Sequence, residues 1–167
     1  MNQYHDMYDR VAKKCLTLSN RAIIQFINGT FGVNHPLDSK VTYNWTEHED
    51  DDLRKTLADT IITIGLSAYH MEFQTTEDGS ITFRIFEYGF HHCYLKSEER
   101  KNVLEFPDPV LICLYEGKSE PDERDLTIRF GNSGTYIYKV PVIKYLSLSP
   151  KELQNRNMII LIPFSAF

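Results

Sequence analysis

Asp59, Glu72 and Gln74 are the side chains in this sequence whose types and spacing could gather oxygen ligands around an ion. Glu72 and Gln74 lie two apart in "YHMEFQ", residues 69–74, which alternates a ring or thioether with a polar group. Side chains two apart on a strand share a face. Asp59 joins them if "LADTIITIG" and "AYHMEFQTT" form a hairpin across "GLSA". With Gly65 opposite Ala68, Asp59 faces Gln74 and Ile61 faces Glu72, while Met71, Phe73, Thr60, Ile62 and Ile64 point the other way, into a core. A slip of one residue would send Asp59 to the opposite face. Two carboxylates so placed suit one hard cation such as Mg²⁺, which polarises a phosphoryl oxygen and makes bound water a better nucleophile. Gln74 would orient that water by hydrogen bonding. Strands with two acids are common, however, and the same pattern describes a water-facing hairpin whose polar side serves solubility alone.

The elements that must hold these residues are legible as one domain, residues 1–167. An N-terminal helical region, "MYDRVAKKCL", is followed by Ser19 as N-cap of "NRAIIQFIN", with Gly29 placed to end that helix. "KVTYNW" reads as a short strand and the acidic run after it as a solvated loop or helix start. After the hairpin, "EDGS" turns the chain into "ITFRIFEYGFHHCYL". Ile81, Ile85, Phe86 and Phe90 suit a helix packed on a sheet, although the aromatic and β-branched content also permits a strand start. "PVLICLYEG" reads as a buried strand, "DLTIRFG" and "TYIYKV" as strands around "NSG", "SPKELQNRN" as a Ser–Pro helix start, and "MIILIPF" as an apolar closing segment. Helix, three strands, helix, then more strands is an α/β (α+β) order.

Composition narrows the function classes. The 167 residues are 42% hydrophobic and 25% charged, as in a folded globular domain. No apolar run approaches a membrane span, and the polar N-terminus lacks the apolar core of a signal peptide. Cys15, Cys93 and Cys113 are odd in number and far apart, which reads as reduced, buried thiols of a cytoplasmic protein. A net charge of −5 argues against a surface built for nucleic acid, yet five of the acids lie in "EHEDDD", residues 47–52, and a local basic groove is compatible with the total.

The longer stretches "FINGTFGVNHPLDSKVTYN", "TEHEDDDLRKTLADTIITI", "YHMEFQTT" and "FRIFEYGF" resemble the PD-(D/E)XK nuclease family transposases, relatives of bacterial recombination-promoting nucleases. The resemblance runs from about residue 4 to the final "MIILIPF". It implies a restriction-endonuclease-like core, a central mixed sheet flanked by helices, and hydrolysis of DNA phosphodiester bonds with Mg²⁺ or Mn²⁺. On that resemblance Asp59 matches the motif aspartate and Glu72 the second carboxylate, and both hold the metal. Gln74 stands where the general motif has lysine, as is common in this branch. Arg84 and Tyr88 resemble the arginine and tyrosine that follow the motif; Arg84 would clamp a phosphate or hold Glu72. Relatives often continue through a mostly helical C-terminal part, whereas this chain stops at Phe167. DNA is the implied partner, and cutting both strands would favour a homodimer. The rival within the same resemblance is an inactive nuclease fold that binds DNA or a partner protein.

Other features have plainer readings beside the functional ones. The acids 47–52 are a solvated run in which Glu47 is the best candidate for a further ligand. His91 and His92 point about 100° apart on a helix and cannot chelate together; His91 would share a face with Arg84, Glu87 and Tyr88. His70 has the parity of Glu72 and reads as a surface histidine flanking the site. "GNSG" is a hairpin turn, since neither a helix start nor a lysine follows it.

Overall fold

The computed structural model describes residues 11–12, 14–45, 60–96, 103–117 and 119–166. The acidic run, Glu47 and Asp59 lie outside the described residues. A first helix, α1, is described at residues 11–12 and 14–17. Helix α2 spans Asn20–Phe31, with the Ser19 hydroxyl accepting from the Ala22 amide at its start. Its buried side chains Ile23, Ile24, Phe26 and Ile27 form one stripe. The helix ends at Gly32, whose φ of 65° supplies the left-handed turn, and so passes through Gly29, where the sequence places its end. Gly29 packs against the Arg156 backbone carbonyl, which leaves no room for a side chain.

Strands β1 (Val41–Trp45), β2 (Thr60–Ile64) and β3 (Ser67–Gln74) form an antiparallel meander. Helix α3 (Ile81–Lys96) then carries the chain to β4 (Asp108–Cys113), which lies parallel to β3. The last strands are β5 (Glu123–Arg129) and β6 (Thr135–Lys144), giving one six-stranded mixed sheet in the order β1-β2-β3-β4-β6-β5. Strand β6 runs past "TYIYKV": Thr135–Pro141 pairs antiparallel with β5, and Val142–Lys144 pairs parallel with β4. Pro141, which has no amide hydrogen to give, stands where the pairing changes hands. Helix α4 (Pro150–Asn155) opens on a capping box between Ser149 and Glu152, and a 3₁₀ segment, Ile159–Ala166, closes the described chain.

The hairpin register differs from the expected one by two residues. Gly65 has a φ of 61°, a left-handed turn conformation, so it occupies the turn and does not pair with Ala68. Ile64 faces Ser67, and Ile61 faces His70 in place of Glu72. An even shift preserves the faces. Ile62, Ile64, Met71 and Phe73 lie on one side with α2 and the C-terminal segments, among the buried residues of the larger core, and buried Thr60 shares their face. Ile61, His70, Glu72 and Gln74 lie on the other, beneath α3. There a smaller core joins Ile81 and Ile85 to Leu111, Cys113, Tyr138 and Val140.

Both faces of β3 are therefore covered, and the reading of its polar side as water-facing is overturned: His70, Glu72 and Gln74 are all buried. On α3 the buried positions are Ile81, Thr82, Ile85, Gly89 and Cys93, with Phe86 partly covered. Phe90, expected on the sheet-facing side, is 44% exposed, since Gly89 and Cys93 take that stripe. The three cysteines are free and buried, and burial raises the thiol of Cys93 to about 11. Among the described residues no helix is long and apolar enough to cross a membrane.

Candidate active site

Of the expected site residues, Glu72, Gln74 and Arg84 gather at the carboxyl end of β3, which β4 borders among the described residues. Strand alternation sends Glu72 and Gln74 to the α3 side, and the turn at residues 79–80 brings α3 back over them. Asp78 organises that turn: its Oδ1 accepts from the Ser80 amide at 2.8 Å and the Ser80 hydroxyl at 2.7 Å. One turn into the helix, Arg84 reaches both carboxylates. Its Nη2 donates to Glu72 Oε1 at 2.7 Å and its Nη1 to Asp78 Oδ2 at 3.1 Å.

Glu72's side chain is only 1% exposed, so its charge depends on Arg84. A buried carboxylate without a cation would be strongly unfavourable. The second oxygen, Oε2, is buried and makes no hydrogen bond to another protein atom among the described residues, and neither does Arg84 Nε. A carboxylate oxygen so placed is a fitting donor for a hard cation. Among the described residues, however, no group of three or more His, Cys, Asp or Glu side chains forms a ligand set. A cation at Glu72 would need a further ligand, and Asp59, the residue before Thr60 in the sequence, is the sequence candidate.

The Arg84–Tyr88 pair does share a helix face. Arg84 meets Glu72, and the Tyr88 ring lies 6.4 Å from the His70 ring at 62°. His70, expected at the surface, is fully buried because α3 covers it. Burial first, then the nearby His92, push its pKa down to about 4, against an opposing pull from the Ile85 carbonyl. The imidazole is thus neutral at neutral pH.

Sequence reasoning missed a second network beside the first. Glu120 accepts from the Tyr115 hydroxyl at 2.5 Å and from Arg124 Nη2 at 2.7 Å on Oε1, and from Arg124 Nε at 2.9 Å on Oε2. Arg124 Nη1 also donates to the Asp78 carbonyl at 3.1 Å, and Lys144 Nζ to the Glu120 carbonyl at 3.0 Å. The register sets Gln74, Cys113 and Lys144 side by side on three parallel strands. The i,i+4 spacing of Glu120 and Arg124 was the only local signal, and it fell in a loop and strand start, where that spacing carries no helical meaning. Every oxygen of the Glu120 carboxylate is engaged, so this network braces the β4–β5 loop against the Asp78 turn. A cavity of about 420 Å³ lies at the opposite end of these strands, lined in part by Ser67, His92, Lys96 and Asp108, away from Glu72 and Glu120.

No family model, curated protein or solved structure matches the chain.

Proposed function

We propose that this chain is a metal-dependent DNA endonuclease domain of bacterial mobile-element recombination, acting by phosphodiester hydrolysis with Mg²⁺ or Mn²⁺. The observation that carries the reading is Glu72: a buried carboxylate on a central strand, one oxygen fixed by Arg84 and the other without a hydrogen bond to the described residues. Two further points support it. The six-stranded mixed sheet flanked by helices has the coarse architecture that the sequence resemblance implies. The residues also cluster at the carboxyl ends of parallel strands, where mixed and parallel sheets commonly carry their sites.

Glu72, with Asp59 from the sequence motif, would hold the cation. When bound, the cation polarises the phosphodiester and eases formation of the attacking hydroxide. Gln74 offers a carboxamide that can fix a water by donating and accepting, but it cannot take a proton at neutral pH, so the proton passes to solvent. Arg84 holds Glu72 Oε1 and thereby decides which oxygen is offered; of the two roles implied for it, positioning the carboxylate agrees best with its bonds. Tyr88, one turn along α3 from Arg84, packs its ring on His70. Cutting both strands would call for a second copy of the chain.

The absence of lysine at position 74 favours a second reading, an inactive nuclease fold that binds DNA or a partner. A plasmid-nicking assay in Mg²⁺ and Mn²⁺ separates the two. The expected result is metal-dependent nicking by the native chain, abolished in Asp59→Ala and in Glu72→Gln. Nicking that persists in both variants would remove these carboxylates from the mechanism. Failure of the folded native chain to nick in either metal would establish the inactive reading.

A further inference from the structure

His70 stands two residues before Glu72 on the same strand and the same face, fully buried beneath α3. Both of its ring nitrogens are buried and make no well-formed hydrogen bond among the described residues, although one is drawn to the Ile85 backbone carbonyl of α3. A neutral imidazole carries one N–H donor and one lone pair, and native interiors rarely leave either unmet. The sheet offers no side-chain partner, because the strand neighbours of His70 are Ile61 on β2 and Pro109 on β4. The nearest polar side chain of its own strand on that face, Glu72, also keeps Oε2 without a hydrogen bond to the described residues. Successive same-face residues on a strand are separated by about 6.6 Å. An imidazole and a carboxylate at that spacing can both reach one ion at about 2.0–2.2 Å.

We propose that His70 is a nitrogen ligand to the cation held by Glu72, which makes the centre selective for Mn²⁺ over Mg²⁺. The inference rests on the reading of Glu72 as a metal ligand and adds to it. Mg²⁺ takes almost only oxygen ligands, whereas imidazole suits transition ions. A neutral ligand also completes coordination without adding charge to a buried site that already holds Arg84.

The experiment uses the full chain with Mn²⁺ alone and no DNA. Electron paramagnetic resonance titration measures binding, and electron spin-echo modulation detects directly coordinated ¹⁴N. The expected result is an imidazole ¹⁴N coupling in the native protein that disappears in His70→Gln, with Mn²⁺ affinity reduced about tenfold or more and Mg²⁺ affinity nearly unchanged. If His70→Gln does not fold, the native spectrum still decides: bound Mn²⁺ without ¹⁴N coupling overturns the inference. Coupling retained in a folded His70→Gln also overturns it. In both cases the metal reading survives if Glu72→Gln releases the Mn²⁺. Absence of Mn²⁺ binding, or binding indifferent to Glu72→Gln, overturns the inference and the metal reading together.

Discussion

Replacing Arg84 with alanine removes the only described cation bonded to a carboxylate that is 1% exposed. Breaking one side of a buried ion pair typically destabilises by about 3–5 kcal/mol, because the remaining charge is left without compensation. Arg84 is itself 21% exposed, so water entering the space it vacates lowers the expectation to about 3 kcal/mol. Glu72→Gln should be milder, about 1–2 kcal/mol: it removes the buried charge, keeps an oxygen for Arg84 to donate to, and leaves the 3.1 Å bond to Asp78 intact. In the double variant the fully buried charge of Glu72 is gone, and only the partly exposed Asp78 loses Arg84. The two effects should therefore fall short of their sum by about 2 kcal/mol. Urea unfolding of the four proteins at neutral pH gives the cycle directly. In thermal scans, Arg84→Ala alone should lower the midpoint by about 6–12 °C for a chain of this size. Additivity within about 0.5 kcal/mol would refute the reasoning. So would an Arg84→Ala loss no larger than that of Glu72→Gln, since either result would mean that Glu72 does not rely on Arg84 for its charge.

The second network makes a pH prediction. The Arg124 hydrogen bonds, aided by Tyr115 and opposed by burial, hold Glu120 below the ordinary glutamate value of 4.5. The unfolded chain therefore takes up this proton at higher pH than the folded chain. Stability from Glu120 is complete above about 4.5 and is lost as pH falls through the lower, folded value. Glu120→Gln should lower stability at neutral pH and flatten this acid limb in urea titrations; an unchanged pH slope would remove Glu120 as its source. At Gly29, an added methyl meets the Arg156 carbonyl, so Gly29→Ala should destabilise by about 1–3 kcal/mol despite alanine's better helix propensity. An alanine variant as stable as the native chain would show that α2 and α4 can separate freely at this contact.

The meander was legible because period-2 alternation survives whatever covers the strand. Met71 and Phe73 face the larger core as their parity predicts. What covers the other face was not legible. Polar residues alternating with apolar ones usually mark water on one side, and in β3 that inference fails because α3 lies over His70, Glu72 and Gln74. The cue was on α3 itself: Arg84 is the charge that accompanies Glu72 into the interior, a contact that only the family resemblance anticipated, because the two are twelve residues apart and nothing local joins them. The register failed for a different reason. "GLSA" offers two overlapping two-residue turns, Leu66–Ser67 and Gly65–Leu66, and the positive φ at Gly65 marks the second as the one used. The Asp78 and Glu120 contacts belong to loops, whose tertiary partners carry no periodic signal.

Charge counting around Glu72 links stability to the proposed chemistry. Glu72 and Asp78 supply two negative charges and Arg84 removes one, so the described part of the site is at most singly negative. A divalent ion there gains little Coulomb attraction until another carboxylate or a phosphate arrives, and Mg²⁺ in particular relies on substrate phosphates to complete its shell. The bond that permits Glu72 to be buried thus also limits how strongly these side chains alone can attract a cation. A nearby imidazole would relieve that limit without undoing it, because it adds a coordination bond and no charge. On this reasoning, an arginine that looks competitive with metal is the condition for having a dry carboxylate on β3 at all.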